Sequence, residues 1–261
     1  MSASGAIPAD DAGWRELIRS AQPPTWKLLA EGSGGSTWER DGVLAAIVPA
    51  APGRSVFNSV FYSDGERLLA ALEEIAAAYE EAGVRAWTVW VPDDDTEVAT
   101  GLERAGHKLD AEPREMAMPL PDLREPDPDP DLEIVEREDY AEMARLNEIA
   151  YGYPAGEFAA VAEAVMPGLR IYLGELEGEP VSTLAIWPHG SDALVIWVAA
   201  VPEARGRGIS GRLMGRALAD ASEAGLETTT LQATKLGTPV YSKLGYRDFG
   251  PIQMWERRKG R

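Results

Sequence analysis

The sequence predicts an α/β protein in which a mixed sheet carries helices on both faces, and three observations predict it. Short apolar runs rich in branched and aromatic residues alternate with segments of helical period along most of the chain. The helical segments stop at glycines, notably Gly83, Gly106 and Gly225, where a left-handed cap costs least. After residue 131 the order reads β-α-α-β-β-β-α-β-α-β, an order that a mixed sheet between helix layers accommodates.

With 261 residues, 45% of them apolar, the chain is globular and long enough for one large domain or two of about 100–150 residues. The stretch Pro119–Asp131 alternates Pro and Asp. Proline removes amide donors and aspartate prefers turns, so no helix or central strand fits there. The expected division is residues 1–120, a linker at 121–131, and residues 132–261.

Before the linker, 42–49 and 55–62 read as strands, with Pro52-Gly53 available for a turn. Residues 64–82 form a helix with Leu68, Leu72, Ile75 and Tyr79 on one face. A strand at 85–91, a helix at 96–105 and a closing strand at 115–120 follow. After the linker, 132–137 is a strand, Asp139 caps a helix reaching Tyr151, and 157–165 is a second helix stopped by Pro167-Gly168. Strands at 169–177, 179–187 and 193–200 precede a helix at 209–224, a strand at 228–233, a short helix at 238–244 and a last strand at 251–255. The halves share a cadence: helix, glycine, strand, short helix, glycine, spaced 23 residues from Gly83 to Gly106 and 20 from Gly225 to Gly245. Such self-similarity points to a duplicated fold.

Composition excludes several classes. There is no cysteine, hence no disulfide, thiolate metal site or cysteine nucleophile. The net charge of −18 repels nucleic acid and anionic membranes, so neither is an expected partner. The first residues lack the basic start and apolar run of a secretory signal, and no window approaches the ~20 apolar residues of a membrane span. A cytoplasmic location is expected. His107 and His189 stand beside turns without ligand spacing and read as solvent-exposed, and no metal is expected.

The informative stretch runs from Trp197 to Leu213: an apolar strand enters a glycine-rich turn, Arg205-Gly206-Arg207-Gly208, that opens directly into an amphipathic helix. Helix-start amides lack intrahelical partners and carry the positive end of the dipole, so such a turn can bind phosphate. Gly206, Gly208 and Gly211 let backbone approach a ligand, and Arg205 and Arg207 add charge. Taken alone, the same residues are also a surface turn with two solvated arginines.

In context, Val201–Ile209 closely resembles the pyrophosphate-binding motif of GNAT (GCN5-related N-acetyltransferase) proteins: Arg or Gln, two residues, Gly, one residue, then Gly or Ala. Arg205 and Gly208 fill the first two marked places, and Ser210 departs from the last. Downstream, the segment from Gln232 through Thr234 to Tyr246 resembles the family segment beside the pantetheine arm. Its tyrosine commonly protonates the departing thiolate, and Tyr241 occupies that place; a phenol near pKa ~10 suits a general acid. Packing on Leu244 is the other reading of Tyr241. The resemblance covers about residues 132–255 and implies a GNAT fold with a mostly antiparallel sheet, acetyl-CoA as co-substrate, and cofactor contacts from Val198, Ala199, Ala200, Arg205, Gly206, Arg207, Gly208, Ile209, Ser210, Gly211 and Thr234. Strand 198–200 should splay from its neighbour, and one main-chain amide would polarise the thioester carbonyl. The strand interior carries no acid, Asp192 and Glu203 only bracket it, and no base is assigned. Acceptor recognition in the family uses the first two helices and their connection, which implicates Tyr151 and Tyr153; these aromatics could equally be core.

The first half resembles a truncated GNAT-like subdomain without a cofactor loop. Ser63–Arg67 lacks an Arg-x-x-Gly pattern, and Leu102 falls where Tyr241 lies in the second half. Phe57, Asn58, Trp87 and Trp90 could reach a ligand or pack in the core. The implied activity is acetyl transfer from acetyl-CoA to a primary amine, on a small molecule or a peptide, by direct attack in a ternary complex. The alternatives are an acyl-CoA-binding module without turnover, or an acyltransferase with another donor or a hydroxyl acceptor. Paired sheet edges would make a homodimer.

Overall fold

The computed structural model describes residues 7–162, 166 and 168–259. Helix α1 (Asp11–Ser20) begins at Asp10, whose carboxylate accepts from the Gly13 amide, and buries Trp14 and Ile18. Helix α2 (Gln22–Gly32) carries Pro23 and Pro24 in its first turn, where a missing amide costs no helical bond. Next come β1 (Ser36–Arg40), β2 (Val43–Ile47), β3 (Ser59–Tyr62), α3 (Gly65–Glu81), β4 (Ala86–Pro92), α4 (Thr96–Arg104), β5 (Lys108–Ala111) and β6 (Arg114–Pro119). Then follow β7 (Leu132–Glu136), α5 (Tyr140–Tyr151), α6 (Ala159–Ala162), β8 (Arg170–Leu176), β9 (Glu179–His189) and β10 (Asp192–Ala200). The chain closes with α7 (Ile209–Glu223), β11 (Thr228–Ala233), α8 (Thr238–Leu244) and β12 (Arg247–Arg258). Among the described residues no helix is long and apolar enough to cross a membrane.

These elements form two compact units. One comprises residues 7–21, 114–162 and 168–249, the other 22–113, 166 and 250–259. The first, built around α7, has strand order β6-β11-β10-β9-β8-β7. All its pairs are antiparallel except β10 with β11. Its core gathers Met116, Met118, Leu184, Ile186, Leu213, Leu218 and Leu231. The second, built around α3, has order β1-β2-β3-β4-β12, with β5 also pairing β12. Its core includes Leu68, Leu72, Ile75, Tyr79 and Val89.

The shared cadence of the two halves corresponds to a shared topology. In one unit β2 and β3 are antiparallel, α3 crosses over, and β4 lies parallel to β3; in the other β9, β10, α7 and β11 repeat that path. The division differs from the expected boundary at 121–131. Strand β6, read as closing the first half, pairs with β11 from Pro119↔Thr228 to Arg114↔Ala233. In turn, residues 252–258 of β12 pair with β4. Each parallel pair is thus completed by a strand from the other half of the sequence. The Pro/Asp segment stays with the α7 unit. Its Arg124 amide donates to the Leu244 carbonyl, and Pro126 covers Gly215, where a Cβ would come within 2.7 Å of Pro126 Cδ.

Other differences are local. The sequence reading assigns nothing before Gly42 and misses α1, α2, β1 and β5. Residues 55–58 are turns rather than strand, because the Asn58 side chain replaces the ladder. Its Oδ1 accepts from the Val48 amide at 2.8 Å, and its Nδ2 donates to the Ala51 and Arg54 carbonyls at 3.0 Å. Phe57, Asn58, Trp87 and Trp90 are all buried, which places them in the core. His107 is buried too, 4.6 Å edge-on from Trp87, and His189 is half-buried; for His107, packing against Trp87 overrides the turn signal. Of the expected helix 157–165, residues 159–162 are helical, and 163–165 and 167 lie outside the described residues.

The exchange of strands makes a direct prediction. Residues 132–261 produced alone lack β6, exposing the edge of β11 and removing Met116 and Met118 from the core. Each buried Met contributes about 2–5 kcal/mol, against about 5–15 kcal/mol for a whole domain. The fragment should show no cooperative unfolding transition by circular dichroism, while the full chain does; a cooperative melt of the fragment would show β6 to be dispensable.

Candidate functional site

The glycine-rich turn leaves α7 without a side-chain cap. Gly208 occupies the N-cap at φ 76°, ψ 9°, and Gly206 also has positive φ at 77°, a conformation that favours glycine. Among the described residues, the backbone amides from Gly206 to Gly211 donate to no carbonyl or side chain. Six consecutive N–H groups at one helix start are therefore without a protein acceptor, and the dipole adds positive charge there. Ile209 is buried and can offer only its backbone. The Ser210 hydroxyl lies 3.5 Å from the Ser182 hydroxyl.

The arginines are placed differently from expectation. Arg205 bends back, donating from Nη2 to the Ala150 carbonyl at 2.7 Å and from Nε to the Ala200 carbonyl at 3.3 Å. It ties the last turn of α5 to the end of β10 rather than pointing at the loop amides. Arg212, which the sequence reading passes over, donates to the carbonyls of Arg207 and Asp127, each at 2.8 Å. Arg207 is exposed, and among the described residues its guanidinium has no partner.

Beside this turn the sheet opens. Pairing of β10 with β11 covers only Asp192 to Leu194, so Val195–Ala200 diverge from β11. The register with β9 shifts between Ile196 and Ala199, a bulge centred on Trp197, which adopts φ 55°. The next carbonyls each accept from a side chain. Asn147 Nδ2 reaches Trp197 O at 3.4 Å, the Tyr151 hydroxyl reaches Val198 O at 2.9 Å, and the Ser182 hydroxyl reaches Ala199 O at 2.8 Å. Phe158 packs edge-on against Trp197 at 5.5 Å.

Tyr241 is 7% exposed, its ring against Gly237, and among the described residues its hydroxyl has no partner. Burial raises its pKa, with Tyr151 adding to the shift. The phenol therefore stays protonated in the fold, and Tyr151 lies close enough to influence it. Tyr151 and Tyr153 stack at 5.8 Å. Thr234 caps the turn into α8, its hydroxyl and carbonyl accepting from the Gly237 amide at 3.2 and 2.9 Å. Glu148, also unmarked by sequence reasoning, is buried under the α5–α6 loop. A glutamate on a helix carries no signal that three loop amides will reach it. Among the described residues no group of histidine and acidic side chains is placed to hold a metal ion.

In the other unit the equivalent crossover is closed. The Asp64 carboxylate caps α3, accepting from the Arg67 amide at 3.1 Å. Leu102 is fully buried.

The α/β unit thus combines an uncapped helix start with a parallel pair that splays beside it. Residues 167–248 match the acetyltransferase (GNAT) domain. Solved structures share the fold over nearly the whole chain. A GCN5-related N-acetyltransferase from Kribbella flavida is 17% identical with a TM-score of 0.66, covering 92% of this chain and 96% of that one. A GCN5-related N-acetyltransferase from Sphaerobacter thermophilus is 15% identical with a TM-score of 0.60, covering 94% and 93%. A tandem GNAT protein from the clavulanic acid biosynthesis pathway is 14% identical with a TM-score of 0.55, covering 84% and 79%. No curated protein matches the sequence.

Asp192, which opens β10, is fully engaged and is no candidate base. Its oxygens accept from Thr228 at 2.8 Å and Thr230 at 2.6 Å, and burial pushes its pKa up to about 6. The folded state therefore favours the protonated acid. Stability from this group is complete below the ordinary aspartate range near pH 4 and is lost as pH rises through about 6, at most about 3 kcal/mol. Asp192→Asn should remove that decline. Urea denaturation at pH 4 and pH 7 should show a smaller difference for the variant than for the wild type; equal differences would mean that the carboxyl ionises freely in the fold.

Proposed function

We propose that this chain is an acetyl-CoA-dependent N-acetyltransferase that acetylates a primary amine, on a small molecule or a peptide, by direct attack in a ternary complex. The observation that carries the reading is the run of unpartnered amides from Gly206 to Gly211 opening onto the unpaired edge of β10. The GNAT domain match supports acyl transfer as the class of reaction.

The residues divide the work. Backbone N–H groups of Gly206–Gly211 receive the diphosphate, and the Arg207 guanidinium adds charge nearby. The main chain of Val198–Ala200 lines the pantetheine arm, and an amide at the bulge polarises the acyl carbonyl. Acetyl-CoA, when bound, supplies the thioester that the amine attacks. Tyr241, a phenol that stays protonated, donates its proton to the departing sulfur, and the proton lost by the attacking nitrogen passes to solvent and restores the phenol. Tyr151 and Tyr153 wall the acceptor side. Thr234 acts through the turn it caps.

Two measurements test this. Calorimetric titration with acetyl-CoA should give binding by the wild type and none by Gly208→Glu. That substitution puts a β-carbon 2.8 Å from Arg212 Nη1 and a carboxylate at the helix start; retained binding would place the ligand elsewhere. Tyr241→Phe should lower kcat by roughly 10²-fold or more while acetyl-CoA affinity holds. Parallel losses would remove the acid role, and binding by the wild type without turnover of any amine would favour a sensing module.

A further inference from the structure

Glu148 is 7% exposed, on the inner face of α5. Its carboxylate accepts from the Gly156 amide with both oxygens at 3.0 Å, from the Phe158 amide at 2.8 Å and from the Ala159 amide at 3.1 Å. Its own carbonyl accepts from the Tyr153 amide at 2.9 Å. Among the described residues no Lys or Arg pairs with it. A buried carboxylate is costly unless donors converge on it, and all of these donors come from one loop.

What that loop carries explains the arrangement. Tyr153 stacks on Tyr151, whose hydroxyl holds the Val198 carbonyl, and Phe158 meets Trp197 at the bulge. Glu148 thereby fixes two aromatic contacts beside the splayed strand without itself facing it. We infer that Glu148 is a positioning residue for the acceptor: it holds loop 153–159 against the bulged strand, and acceptor binding depends on it while acetyl-CoA binding does not. This rests on the acyltransferase reading above.

Glu148→Gln keeps the shape and one acceptor oxygen but turns an N–H pair toward amides that need an acceptor. The acceptor KM should rise by roughly tenfold, the scale of a lost charge-assisted hydrogen bond, with kcat within about threefold and acetyl-CoA Kd unchanged. Glu148→Ala should raise KM further. An unchanged KM, or KM and Kd deteriorating together with thermal stability, overturns the inference and leaves the acyltransferase reading standing. A wild type that binds acetyl-CoA yet turns over no amine overturns both. Should neither variant fold, amide exchange in the wild type decides: Gly156, Phe158 and Ala159 should be protected, and exchange at the rate of open loop amides would show that Glu148 does not hold them.

Discussion

The constraint on which the site depends is the left-handed backbone at Trp197. A non-glycine residue at φ 55° costs about 1–2 kcal/mol, and a bulky aromatic there needs support from its surroundings. The return is geometric. Three steps along β10 oppose two along β9 between Ile196↔Ala185 and Ala199↔Thr183, so the strand bends and twists as a bulge requires. After Leu194 it no longer follows β11. Asn147, Tyr151, Ser182 and Arg205 then take the four successive carbonyls from Trp197 to Ala200. Three of those donors reach across to or from α5, so the bulge and the helix hold one another.

The two crossovers show how one topology takes opposite chemical roles. Helices α3 and α7 both follow a strand and precede its parallel partner, and their dipoles point the same way along that path. At α3 the Asp64 carboxylate satisfies an exposed donor and puts negative charge where an anion would sit. Gly65 there has no spare room, since a Cβ would stand 2.6 Å from Val98 Cγ2. At α7 glycine replaces the capping side chain, and the first-turn donors stay open. One residue at the N-cap separates a helix start closed by a side chain from one whose donors stay open.

Much of this was legible because it is local. Helical period, strand composition and glycine stops put most boundaries within a few residues, and the glycine-rich turn before residue 209 announced an unusual helix start. The misses share a cause in contacts distant along the chain. Nothing in Arg114–Pro119 says that its partner is Thr228–Ala233 rather than a strand of its own half. Nothing in Asn58 says that it takes a ladder amide ten residues away, or in His107 that Trp87 encloses it. The Pro/Asp composition excluded helix and central strand from Pro119 to Asp131, which holds only from Leu123 onward: β6 runs through Pro119, and Leu120–Asp122 form a 3-10 turn. It could not reveal that Pro126 seals a glycine on α7.

The arginines carry the same lesson into the chemistry. Sequence spacing makes Arg205 a phosphate ligand, yet two carbonyls hold its guanidinium, one at the negative end of α5 where a cation is favoured. Arg212 likewise braces the turn from behind, linking the Arg207 carbonyl to the Asp127 carbonyl. Only Arg207 is left to face solvent at the loop. An anion at this helix start would therefore meet chiefly main-chain N–H groups, in a turn whose left-handed steps are Gly206 and Gly208. Guanidinium groups follow a ligand flexibly, whereas fixed amides select by geometry. Arg205 and Arg212 brace the turn and the strand end through carbonyls. The net charge of −18 does not oppose the proposed anion site on those terms, because the field that matters is that of a few dipoles at contact distance.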